Sequence, residues 1–95
     1  MIKVNIKEDE ITIKGHSGYS EEGSDIVCAS VSSISITTVN ALLSIDEDCI
    51  IYEESDGYLN IKIKKHNEII DKLINNMINL FKELENQYKK NIEIR

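Results

Sequence analysis

A cysteine and a histidine twelve positions apart, Cys28 and His16, are the residues best suited to chemistry in this chain. A thiolate is a strong nucleophile, and it forms most readily where a helix begins, because free amides and the helix dipole attract negative charge there. An imidazole within reach takes the thiol proton, and the pair then has the parts of an activated nucleophile for acyl transfer. Cys28 falls in or just after the first turn of an expected helix, and His16 opens the glycine-rich stretch that precedes it. A loop of that length folds a histidine back onto the helix start without difficulty. By residue type alone, the commoner fate of such a cysteine is inert burial as a small hydrophobe. Asp25, just ahead of Cys28, is open to two readings. It orients His16 or the flanking loop, or it simply favours the helix start. The first amides of that helix are the expected oxyanion donors, since they lack intrahelical acceptors.

The remaining polar candidates are weaker. Cys49 is expected within a strand, as core and not as ligand, and His66, beside Lys65, is expected to face solvent. A zinc site built from His16, Cys28, Cys49 and His66 lacks the close paired spacing of structural zinc motifs. No metal and no cofactor is expected. Acidic groups at Glu21 and Glu22, at 46–48, and at Glu53, Glu54 and Asp56 read as solvated surface that also attracts a basic partner.

The elements that must position these residues follow from periodicity. Ile2, Val4 and Ile6 alternate with Lys3, Asn5 and Lys7, and after Glu8-Asp9-Glu10 the alternation resumes at Ile11 and Ile13, which predicts a hairpin. Residues 15–23, with Gly15, Gly18 and Gly23, form the one long irregular segment. The stretch 24–45 is rich in Ser, Thr, Val and Ile, which favours strand by propensity. Yet Val27, Val31, Ile34, Thr38, Ala41 and Ile45 recur at helical spacing, Ser24-Asp25 offers a start, and the stretch is too long for an ordinary strand. It is predicted to be a helix whose small residues permit close approach. A second hairpin joins 49–53 to 58–64 through the turn Asp56-Gly57. From Asn67, an expected N-cap, the stripe Ile70, Leu73, Ile74, Met77, Phe81, Leu84 and Tyr88 predicts a long amphipathic helix. Residues 91–95 are expected to add a short edge strand. The order β-β-α-β-β-α(-β) predicts an α/β (α+β) fold, with two long helices on a mostly antiparallel sheet.

The bulk properties agree. Ninety-five residues, 41% hydrophobic and 29% charged, suit one domain over residues 1–95. Seventeen acidic against eleven basic residues give a net charge of −6, which argues against direct nucleic-acid binding through a basic face. Charge is expected to interrupt each apolar run short of the ~18–20 residues of a membrane span, so no membrane partner is expected. Two cysteines do not make a secreted disulfide framework, and the alternating N-terminus is unlike a signal peptide, so a cytoplasmic setting is expected.

The run Gly15-His16-Ser17-Gly18-Tyr19, followed by Gly23-Ser24-Asp25-Ile26-Val27-Cys28-Ala29 and then Ser32, closely resembles the bacterial ribosomal-processing cysteine protease family. The opening Met1-Ile2-Lys3-Val4, the tract Thr38-Val39-Asn40 and the element order extend the resemblance over the whole chain. It implies an α/β homodimeric cysteine peptidase in which His16 and Cys28 are catalytic. Gly15, Gly18, Tyr19 and Asp25 would support the site or contact substrate. The implied substrate is the N-terminal extension of a basic ribosomal protein, the twenty-seventh of the large subunit, which would otherwise obstruct the peptidyl-transfer region. Ser17 and Ser20 stand where alanine is frequent in the family, and Glu22 where an aromatic residue often sits; these departures bear on fine specificity. Two other classes of function compete: a noncatalytic ribosome-assembly or binding module, and thioesterase-type acyl transfer. The presence of both His16 and Cys28 counts against the first.

Overall fold

A computed structural model describes residues 1–21 and 23–95; Glu22 lies outside the described residues. The elements are β1 (Ile2–Lys7), β2 (Glu10–Lys14), α1 (Ile26–Ile45), β3 (Ile50–Ser55), β4 (Tyr58–Ile63), α2 (Glu68–Gln87) and β5 (Ile92–Ile94). The five strands form one sheet in the order β3-β4-β2-β1-β5. Both hairpins pair antiparallel, as does β2 with β4, whereas β5 joins the edge of β1 in parallel. The sheet is therefore mixed, with its one parallel pair among the described strands made by the last element.

Register explains why one face is apolar. Val4 lies opposite Ile13, Ile13 opposite Leu59, and Ile11 opposite Ile61, so these side chains point the same way and are buried. Lys14 and Tyr58 occupy the other face, where Lys14 lies over the Tyr58 ring. On that face Asn60 is buried and donates to Thr12 and Glu10. The helices cover the apolar face, joining it in a single hydrophobic cluster that includes Phe81, Met77, Leu42 and Val39. A slip of one residue in any strand would turn its apolar set to water, which is what fixes the register.

The two helices bury themselves differently. In α2 the amphipathic stripe holds: Ile70, Ile74, Met77 and Phe81 are buried, and Asn67 caps the start by accepting from the Ile70 amide. In α1 the buried set is Val27, Val31, Ser35, Thr38, Val39 and Leu42, so the stripe is rotated from the predicted one and Ile45 is exposed. Ser35 and Thr38 fit inside because their hydroxyls donate to the carbonyls of Val31 and Ile34, one turn back. Small size and a local partner admit both to the core; Thr38 lies on the predicted stripe, and Ser35 lies off it. The expectation that charge breaks every apolar run is also wrong for α1. Its twenty residues carry no charge, and by length and composition the helix is long enough to cross a membrane, but here its buried side chains join the sheet-covering core.

Candidate active site

Cys28 sits three positions after the N-cap of α1, and that cap is Asp25. One oxygen of the Asp25 carboxylate accepts the amides of Val27 and Cys28, both at 3.0 Å. The other accepts the Ser17 hydroxyl and the amides of Tyr19 at 3.1 Å and Ser20 at 3.2 Å. Burial alone would raise the pKa of this group, but the bonds from Ser17, Cys28, Ser20 and Val27 hold it down at about 2. Asp25 is thus an ionised staple between the glycine-rich loop and the helix start. Of its two readings the structure gives the loop and the cap; no bond to His16 is among them. The same geometry corrects the expected oxyanion donors, because the Val27 and Cys28 amides are already committed to Asp25.

Ser17 takes a role that its residue type did not announce. It is buried, and its backbone amide donates to Cys28 Sγ at 3.3 Å. Its hydroxyl binds Asp25, and its carbonyl accepts the Asn91 side-chain amide at 3.1 Å, from the turn before β5. Sulfur is the acceptor in this contact, which ties the loop backbone to the Cys28 side chain. Nothing in the sequence pointed to Asn91, which is remote from the loop; Ser17 was flagged only by its place between His16 and Gly18. Tyr19 is exposed and stacks edge-on against Tyr88, with ring centres 5.4 Å apart.

His16 lies beside the β3–β4 turn. Its side chain is 56% exposed, and Nε2 lies 3.8 Å from a carboxylate oxygen of Asp56 in the β3–β4 turn. The ring lies over Gly57, where an added Cβ would come within 2.9 Å of Nε2. Gly15, just before His16, donates its amide to the Gly57 carbonyl at 2.8 Å. Gly15 is itself fixed by packing, since a Cβ there would meet the Met1 carbonyl at 2.5 Å, whereas Gly18 has open space around it. His16 and Cys28 share one cleft of about 790 Å³, floored by Ile2, Ile13, Val31 and Leu59 and edged by Gly18 and Ser32. No hydrogen bond joins the two among the described residues. Asp56 and Gly57 read from the sequence only as a turn; their place beside His16 arises from the pairing of β2 with β4.

The other candidates lie elsewhere. Cys49 precedes β3 instead of alternating within it, is fully buried, and donates through Sγ to the Leu42 carbonyl at 3.4 Å. Burial first, and then the charge of Asp46, push its thiol pKa up. His66 is half exposed but not free: its two ring nitrogens meet Asp71 at 2.7 Å and Asp9 at 2.6 Å. Hydrogen bonds to Asp71 and then Asp9 raise its pKa. No cluster of metal-ligating side chains occurs among the described residues.

A half-buried cysteine at a capped helix start, with a histidine lining the same cleft, has the parts of a thiol acyl-transfer site. The sequence profile of the family described as Cysteine protease Prp matches residues 1–93. The chain belongs to the cysteine protease Prp family. Family membership makes it a cysteine protease, and the other relatives agree. The ribosomal processing cysteine protease Prp of Staphylococcus aureus (strain Mu50) is 26% identical over 91 residues, 93% of this chain and 86% of its own. The protein of that name from Mycoplasma genitalium is 50% identical over 34 residues, 36% of this chain and 34% of its own. The fold matches the S. aureus protease with a covalently linked product peptide at a TM-score of 0.88 and 22% identity, covering 99% of this chain and 95% of that one. SMU.848 from Streptococcus mutans matches at 0.80 and 27% identity, covering 100% and 92%.

Proposed function

We propose that this protease removes the N-terminal extension of a large-subunit ribosomal protein, the twenty-seventh, with Cys28 as nucleophile and His16 as general base and acid. The observation that carries the residue assignment is the Ser17 amide directed at Cys28 Sγ within the cleft shared with His16. The substrate reading draws on the relatives' name and on a S. aureus relative solved with a substrate peptide. His16 takes the thiol proton, and Cys28 sulfur attacks the scissile carbonyl. The imidazolium then gives its proton to the departing amine, and water hydrolyses the thioester to regenerate the thiol. The apolar floor of the cleft suits an extended, apolar peptide segment, and the net charge of −6 favours encounter with a basic ribosomal protein.

Purified protease mixed with the extension-bearing ribosomal protein is expected to yield one shortened product, read by intact mass. An untouched ribosomal protein, alongside cleavage of unrelated peptides, would overturn the substrate. The working form is proposed to be a cytoplasmic homodimer, supported by the exposed apolar residues Ile36, Ile45 and Tyr52. Light scattering that returns a monomer mass at micromolar concentration would remove the dimer.

A further inference from the structure

Two features of the β3–β4 turn converge on His16. Gly57 forms a flat floor under the imidazole, since any Cβ there would crowd Nε2, and only glycine suits its φ of +64°. Asp56 places a carboxylate oxygen 3.8 Å from that same Nε2. This is longer than a hydrogen bond but within reach of a direct charge interaction. The bond from Gly15 to Gly57 ties the turn to the residue before His16, so turn and imidazole are held as one unit.

We propose that Asp56 is the positioning residue for His16, holding Nε2–H so that Nδ1 is the nitrogen offered to the Cys28 thiol. The inference rests on the Cys28–His16 reading above. Neutral imidazole with its proton on Nε2 has a lone pair only on Nδ1, so the tautomer decides which nitrogen accepts. When the thiol proton moves to Nδ1, the imidazolium that forms keeps Nε2–H towards the Asp56 carboxylate. The charged and titratable groups that line the cleft with His16 are Asp56 from the turn, Glu54 from β3, and Asp25 and the Cys28 thiol from the start of α1. Of these, Asp56 is the one at ion-pair distance from the ring. No strain opposes substitution at position 56, since positive φ in this turn belongs to Gly57 alone.

The test compares wild type, Asp56→Asn, His16→Ala and the double variant by the rate at which iodoacetamide, a small neutral reagent, alkylates Cys28, read by peptide mapping. Asp56 is 85% exposed, so these proteins should melt together. Asp56→Asn is expected to slow alkylation by about two- to fivefold, the range for an exposed charge pair. In the His16→Ala background the same change should do nothing. In peptide cleavage, kcat should fall by a similar factor with KM unchanged, and Asp56→Glu should recover it. An Asp56→Asn protein that alkylates at the wild-type rate or faster, that changes KM alone, or that slows equally without His16 overturns the proposal. If His16→Ala is inactive while Asp56→Asn cleaves normally, the Cys28–His16 pair stands and only the role of Asp56 falls. A fully active His16→Ala protein removes both.

Discussion

Each end of the β2–β4 pair carries one cysteine and one histidine, and the two ends treat them in opposite ways. At one end, Cys28 is half buried and accepts an amide at sulfur, while His16 faces a single carboxylate at 3.8 Å. At the other, Cys49 is sealed in the core with its thiol proton on a carbonyl, and His66 is gripped on both nitrogens at 2.6 and 2.7 Å. The Cys49 thiol donates and is kept protonated, whereas the Cys28 sulfur accepts. An imidazole with both nitrogens occupied has no lone pair to offer, whereas one held loosely on one side keeps the other for proton transfer. Residue type supplies the same two groups twice; the environment fully occupies one pair and leaves the other open, and the proposed assignment draws on that difference.

The contrast is most sharply broken by exchanging its cysteines. Cys28→Ala is expected to lower cleavage of an extension-bearing peptide by at least about 10³-fold, the scale of a lost nucleophile. Cys49→Ala is expected to stay within about twofold of wild-type activity while losing about 1 kcal/mol of stability to a small cavity, read by denaturant melts. A folded Cys49→Ala protein without activity would reverse the assignment.

Asp25 comes next, since it organises the reactive end. With its pKa near 2 against an ordinary 3.8, it adds stability that is complete above about pH 4 and is lost as pH falls towards 2. Thermal melts across that window are expected to show a steep loss for wild type and a flatter one for Asp25→Asn, which should also cleave poorly at neutral pH because its loop has lost its anchor. Parallel acid profiles for the two proteins would remove the staple from the account. The smallest effect belongs to His66. Its raised pKa means that its contribution is fully present below its ordinary 6.5 and fades as pH rises through the raised value. His66→Gln should therefore melt slightly below wild type at pH 5.5 and level with it at pH 9, with cleavage unchanged. A gap in melting temperature that ignores pH would mean packing and not charge.

Much of the fold was legible because it rests on period. The alternation of Val4, Ile11, Ile13 and Ile61 and the stripe of α2 each report a single buried face, and the element order follows from them. What the pattern hid was whatever depended on a hydrogen-bond partner and not on hydropathy. The burial of Ser35, which lies off the predicted stripe, needs a carbonyl one turn back. The parallel seat of β5 depends on which edge of β1 is left open. In the site, Cys28 and His16 were visible as types at a telling spacing. The work of Asp25 was visible only as a choice, and it was settled by five bonds that meet on one carboxylate. Asp56 reads locally as a turn and Ser17 as part of the loop, and Asn91 carries no local signal; their contacts with His16, Cys28 and Ser17 depend on what the sheet brings together.

The bond from Asn91 to Ser17 spans 74 positions. One side-chain amide thus links the loop whose backbone reaches the Cys28 sulfur to the turn that leads into the last strand, so the carboxyl end of the chain is part of the scaffold behind that loop.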